Sequence, residues 1–100
     1  MTVFFFTDIE GSTEKWEKYR DQMSGVLNRH DEIMRETIGR HGGCIVKHTG
    51  DGIFAVFEAG DPIQCVIDLQ KQFFKEPWGA VKEVRVRMAL HAGEAEKRGD

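Results

Sequence analysis

Apolar and polar positions along this chain change period several times, and each change marks a predicted element. Residues 2–7 are β-branched or aromatic throughout and predict a fully buried strand. That run ends in Asp8 and a small-residue turn, Gly11-Ser12-Thr13. Ser12 or Thr13 is expected to cap a helix running to about Gln22, with Trp16, Tyr19 and Met23 on one face. A second helix is expected over 24–40. There Val26, Leu27, His30, Ile33, Met34, Thr37 and Ile38 recur at three- and four-residue spacing, and Gly42-Gly43 stops it. Two short β-rich runs, 44–48 and 53–57, flank Thr49-Gly50-Asp51-Gly52. An Asp-Gly pair in that setting predicts a hairpin, because such a turn needs φ > 0. Asp61-Pro62 opens a third helix with an apolar stripe of Ile63, Val66, Ile67, Gln70, Phe73 and Phe74, closed by Pro77 and Gly79. Val84, Val86, Met88 and Leu90 then alternate with Arg85, Arg87, Ala89 and His91, the period-two signature of a half-buried strand.

With its first two helices merged into one crossover, this order is βαββαβ, the ferredoxin-like α+β pattern. It predicts a four-stranded antiparallel, palm-like sheet with helices on one face. The tail from Glu94 to Asp100 is polar and brings no closing element.

Composition narrows the function classes. One hundred residues make one small domain, and 40% hydrophobic with 31% charged residues is ordinary globular usage. A net charge of −3, without a basic stripe interleaved with aromatics, argues against a nucleic-acid partner. No apolar run is long enough for a membrane segment. Asp8 and Glu10 interrupt the only apolar N-terminal run, so no secretory signal is expected. Cys44 and Cys65, isolated and without CxxC spacing, read as reduced core residues of a cytoplasmic protein. The four histidines show no metal-ligand spacing. His30 and His41 read as ordinary residues, while His48 and His91 lie near the site by sequence order only.

The chemistry rests on two carboxylates. In a ferredoxin-like sheet the first and third strands are the central pair, so Asp8 and Asp51 are expected to converge at one sheet edge. Each alone is more often a plain turn or strand-end carboxylate. Together they repel unless a cation or proton compensates them, and magnesium, an oxygen-seeking ion that keeps room for substrate phosphates, is the natural partner. Two such ions suit an in-line displacement at phosphorus. Gly11, Ser12 and Thr13 open a helix whose free N–H groups suit a phosphate, or else form a plain cap.

FTDIEGST (6–13) with Trp16-Glu17, KHTGDGIFAVF (47–57) and VRMALHAGEAE (86–96) together resemble the catalytic domains of class III nucleotidyl cyclases, in wording the bacterial adenylate cyclase branch. The resemblance implies conversion of ATP to 3′,5′-cyclic AMP and pyrophosphate. It implies two Mg²⁺ or Mn²⁺ ions on Asp8, Asp51 and the Ile9 carbonyl, with Gly11, Ser12 and Thr13 against the phosphates. Lys47, four residues before Asp51, matches the family's purine-selecting lysine; a glutamate there is typical of guanylate cyclases. A head-to-tail homodimer with active sites at the interface is implied too, and would give Phe4, Phe5, Phe6, Phe54 and Phe57 a use besides core packing. The chain resembles the N-terminal portion of such a domain. The second purine selector and the asparagine and arginine of the transition state are expected beyond residue 100, so this portion is expected to be weak or inactive alone. A guanylate cyclase and a non-catalytic dimerisation or nucleotide-sensing module are the alternatives. A diguanylate cyclase is disfavoured, because His48-Thr49-Gly50-Asp51-Gly52 is not a GG(D/E)EF hairpin.

Overall fold

The structure, a computed structural model, describes residues 1–94. After Glu94 the expected polar tail lies outside the described residues. The element order is β1 (Thr2–Ile9), α1 (Ser12–Lys18), α2 (Arg20–Arg40), β2 (Cys44–Thr49), β3 (Gly52–Phe57), α3 (Pro62–Lys75), a 3₁₀ turn (Gly79–Val81) and β4 (Val86–Gly93). The strands form one antiparallel sheet in the order β2-β3-β1-β4. This is the expected α+β ferredoxin-like arrangement, with β1 and β3 in the centre.

β1 is not buried on both faces. Phe5, Thr7 and Ile9 are buried beneath the helices, while Phe4, Phe6 and Asp8 point to the other face. β3 alternates in phase, with Ile53, Ala55 and Phe57 inward. The helices cover one face only, so a run that looks uniformly apolar divides by its period of two. On the open face Phe54 stacks between Phe6 (4.8 Å between ring centres) and Phe4 (6.1 Å), and His91 joins Phe4 at 6.3 Å.

The helix boundary falls four residues earlier than expected. The break is at Tyr19, whose φ of −126° and ψ of 42° leave the helical region, and α2 begins at Arg20. Met23 belongs to the α2 stripe: with Val26, His30, Ile33, Met34, Thr37 and Ile38 it makes one buried face. Gly11, not Ser12 or Thr13, holds the N-cap of α1, in the left-handed region, and no side chain among the described residues caps the helix. Gly42-Gly43 ends α2 as expected: the Gly43 N–H donates to the Ile38 carbonyl (2.8 Å) and the Gly42 N–H to that of Gly39 (3.1 Å), a Schellman motif.

α3 starts as expected, with the Asp61 carboxylate accepting from the Gln64 N–H (3.0 Å) and Pro62 in the first position. Its stripe is rotated, however. Cys65, Leu69 and Phe73 are buried, whereas Ile63 is 66% and Phe74 91% exposed. The helix has more apolar residues than one face can bury, and its polar anchors choose the rotation. Asp68 accepts from Arg40 Nη2 (2.9 Å) and pairs with His41 Nε2 (2.9 Å), Gln72 donates to Thr37 Oγ1 (2.8 Å), and Gln70 donates to the Val86 carbonyl (2.9 Å). Cys65 lies in the core as expected, but Cys44, on the edge strand β2, is exposed. His30 is fully buried and stacks on Phe73 at 5.6 Å. Its Nδ1 meets Asp31 Oδ1 at 2.8 Å, its Nε2 has no partner among the described residues, and burial lowers its pKa.

Two predictions follow from this packing. Leu69→Ala should cost about 2–5 kcal/mol in urea unfolding, because it empties a fully buried site. Ile63→Ala should stay within about 0.5 kcal/mol, as for an exposed position. Equal effects would contradict the observed rotation of α3. The second concerns acid. His41, then Arg40, hold the Asp68 carboxyl at about 2, below its ordinary 3.8. Its contribution is therefore complete above pH 3.8 and is lost as pH falls toward about 2. Asp68→Asn should flatten the loss of melting temperature across that window in a pH series.

Candidate functional site

The two carboxylates sit where the central strands end. Asp8 is the penultimate residue of β1, on the open face, with its side chain 48% exposed. The β1–β3 register pairs Thr7 with Ile53, so the next step sets Asp8 beside Gly52, and Asp51 is the residue before it in the hairpin turn. Close approach makes this possible. A side chain at position 52 would come within 2.7 Å of the Thr7 carbonyl oxygen and 2.6 Å of Thr49 Oγ1. Thr7 also reaches across: its hydroxyl accepts from the Ile53 N–H at 3.1 Å. The hairpin is therefore fastened to β1 immediately next to Asp8. Its turn differs in detail from expectation. The positive φ (64°) belongs to Gly50 in the first loop position, and Gly52 already starts β3.

Asp8 is held by an arginine that the sequence reading left without a role. Arg87 stands opposite Asp8 in the β1–β4 ladder. Its Nε donates to Oδ1 at 2.7 Å and its Nη2 to Oδ2 at 2.8 Å, a two-pronged contact. These bonds and the Asp8 charge raise the Arg87 pKa, and the charges of Glu10 and Asp51 add to the effect. The alternation of 84–91 placed Arg87 on one face with His91, but pairing it with Asp8 required the register.

Ile9 closes β1 and is only 2% exposed as a whole residue, so its side chain belongs to the core and only its carbonyl has the chemistry to serve a cation. Gly11, Ser12 and Thr13 follow as the cap and first turn of α1. The first helical bond runs from the Lys15 N–H to the Gly11 carbonyl, so the amides before it have no partner within the helix. α1 spans only seven residues, so its macrodipole adds little and the individual N–H groups carry any attraction for an anion.

Lys47 reaches the open face through an irregularity that no sequence signal marked. Ile45 pairs with Ala55 on the helix side, and strict alternation would turn Lys47 to that side too. A register shift between Ile45 and Lys47 leaves Val46 unpaired and sets Lys47 opposite Phe54. Lys47, Phe54 and Phe6 therefore share one row of the open face. Two strand spacings, about 10 Å, separate Lys47 from β1, so it does not meet Asp8 within one chain. His48, paired with Ile53, faces the helix side, and His91, opposite Phe4, stands about 13 Å along β1 from Asp8. Neither joins the carboxylates.

The donor set suits a hard divalent cation. Both carboxylates are accessible oxygen donors, and Asp8 already accepts a cationic group through both oxygens. No cluster of three or more His, Cys, Asp or Glu side chains forms a metal cage among the described residues. Magnesium requires none, since it binds through one or two carboxylates with waters and phosphates. The surface around Asp8 is a shallow dish of about 230 Å³ lined by Phe6, Asp8, Arg87 and Ala89, smaller than the about 300–1,000 Å³ of ligand-enclosing pockets. A larger open groove, about 670 Å³, is lined by Glu10 and Gly11 with Glu14, Lys15, Lys82 and Arg85, and shares no lining residue with the dish. No helix among the described residues is long and apolar enough to cross a membrane.

An uncharacterized protein of Mycobacterium tuberculosis is 30% identical over 101 residues, covering 98% of this chain and 33% of its own length. The adenylate cyclase of Podospora anserina is 28% identical over 114 residues, covering 94% of this chain and 5% of its own. A Trypanosoma brucei adenylate cyclase structure, solved in a monomeric state, shares the fold with a TM-score of 0.89 at 24% identity, over 99% of this chain and 58% of that one. The chain thus spans about a third of the length of the mycobacterial relative. Residues 1–97 match the adenylate and guanylate cyclase catalytic domain family, and this chain belongs to it.

Proposed function

We propose that this chain supplies the metal- and triphosphate-binding part of a cyclase site that converts ATP to 3′,5′-cyclic AMP and pyrophosphate. The observation that carries the reading is the fastening of the Asp51 hairpin to β1 beside Asp8, inside a chain matched to the family over residues 1–97.

Asp8, Asp51 and the Ile9 carbonyl are the residues that would hold two Mg²⁺ or Mn²⁺ ions. When bound, the ions supply Lewis acidity toward the ribose 3′-hydroxyl and the phosphate oxygens. The chain's own part is positional. In this reading the end of the central strand pair and its hairpin turn bring both carboxylates to one sheet edge, and the amides of Gly11, Ser12 and Thr13 offer donors to the β- and γ-phosphates. Catalysis then needs the 3′-hydroxyl oxygen to bond to the α-phosphorus as the bond to pyrophosphate breaks, with the hydroxyl proton released.

Lys47 is the adenine selector in this reading. An ammonium donates to an adenine ring nitrogen, whereas the donors of guanine favour a carboxylate. Its separation from Asp8 within one chain favours a homodimer in which each site takes Lys47 from the partner. The shallow dish around Asp8 favours the same arrangement, because a nucleotide needs a second wall. The chain spans about a third of the length of the mycobacterial relative, and we expect the 100 residues alone to turn over weakly.

The test is direct. Asp8→Ala and Asp51→Ala should each weaken Mn²⁺-dependent binding of a non-hydrolysable ATP analogue by more than tenfold in calorimetry, with circular dichroism unchanged. Binding that survives both changes would favour a module without a metal site. Lys47→Glu should shift competition between ATP and GTP analogues toward GTP. Unaltered preference would remove Lys47 from purine selection. Rapid cyclic AMP formation by the 100-residue chain with Mn-ATP would overturn the expectation of weak turnover.

A further inference from the structure

The contact between Asp8 and Arg87 does more than pair two surface charges. It engages both carboxylate oxygens, at 2.7 and 2.8 Å. The two residues rise from directly opposed positions of β1 and β4, so the backbone ladder itself sets the fork against the carboxylate. Neither side chain is enclosed; Asp8 is 48% and Arg87 66% exposed. A long, exposed arginine on an edge strand can leave its partner at small structural cost, because nothing among the described residues packs over it. Until it leaves, it takes up the lone pairs on that side of the carboxylate and puts a unit positive charge beside any approaching cation.

Resting on the reading of Asp8 as a metal ligand, we propose that Arg87 is a built-in competitor for the metal. It holds and orients Asp8 in the free chain, and it must swing away when a divalent cation binds. Arg87 thereby sets the metal affinity of the site. The carboxylate is never left without a cationic partner, and its rotamer is kept ready. Screening by salt weakens the ion pair and the repulsion together, so the effect is largest at low ionic strength.

The test titrates Mn²⁺ alone, without nucleotide, into the 100-residue chain at low salt, reading free Mn²⁺ by electron paramagnetic resonance. Arg87→Gln should bind Mn²⁺ about three- to tenfold more tightly than the unaltered chain, the range expected for loss of one exposed ion pair and its repulsion. Arg87→Lys, which keeps the charge but loses the fork, should lie between them. Asp8→Ala should lose the binding. Circular dichroism and melting temperature establish that each variant is folded. If Asp8→Ala loses binding but folded Arg87→Gln binds no more tightly than the unaltered chain, the competitor role is wrong and the metal site stands. If Asp8→Ala binds Mn²⁺ undiminished, the metal reading itself fails, and the role of Arg87 with it.

Discussion

Everything in this structure depends on β1 being hydrogen-bonded along both of its edges. It pairs with β4 over its full length and with β3 from Val3 to Thr7. A strand paired on both edges has its backbone satisfied, so its side chains must divide between two faces. The helices take one face, and Phe5, Thr7 and Ile9 lock β1 onto them. The same pairing holds Phe4, Phe6 and Asp8 rigidly on the other. Asp8 stands one step past the last β1–β3 pair, Thr7–Ile53, and is still paired with Arg87 in the β1–β4 ladder, which fixes where its backbone lies.

Polar contacts then refine what apolar burial leaves open. Hydrophobic area is non-directional and would accept several rotations of α3. Asp68, Gln70 and Gln72 select one, because each has a partner in α2 or β4 only in that rotation. The sheet shows the same division. The Thr7 hydroxyl and the bare Cα of Gly52 bring the hairpin close, and the Asp8–Arg87 pair ties β4 to the same edge. The open face is left with Phe6 47% and Val46 55% exposed beside those charges.

Much of this was legible in the residues. The α2 stripe, the Asp61-Pro62 start and the hairpin are local patterns whose periods follow from backbone geometry, and so is the alternation of β4, although that strand starts at Val86 rather than Val84 and leaves Leu90 exposed. So was the pairing of Asp8 and Asp51 as a hypothesis, because the element order left few topologies. Other details were not. The Tyr19 break was obscured because Trp16, Tyr19 and Met23 share helical spacing across it. The α3 stripe was misplaced because two apolar faces compete on one helix. Cys44 was assigned to the core though it lies on an edge strand, and β1 seemed buried on both faces because its outward residues are aromatic.

By itself, the order of apolar periods and turn residues determined the class of fold and which residue types end each strand, since those signals act over a few neighbouring positions. Tertiary structure alone decided which side chains meet. The bulge at Val46 turns Lys47 to the open face, and the β1–β4 register brings Arg87, 79 positions away in the chain, onto Asp8. A slip of one residue in either ladder would reverse every side chain beyond it. Register is fixed by the sum of contacts across the whole sheet, and no short stretch of sequence carries that sum.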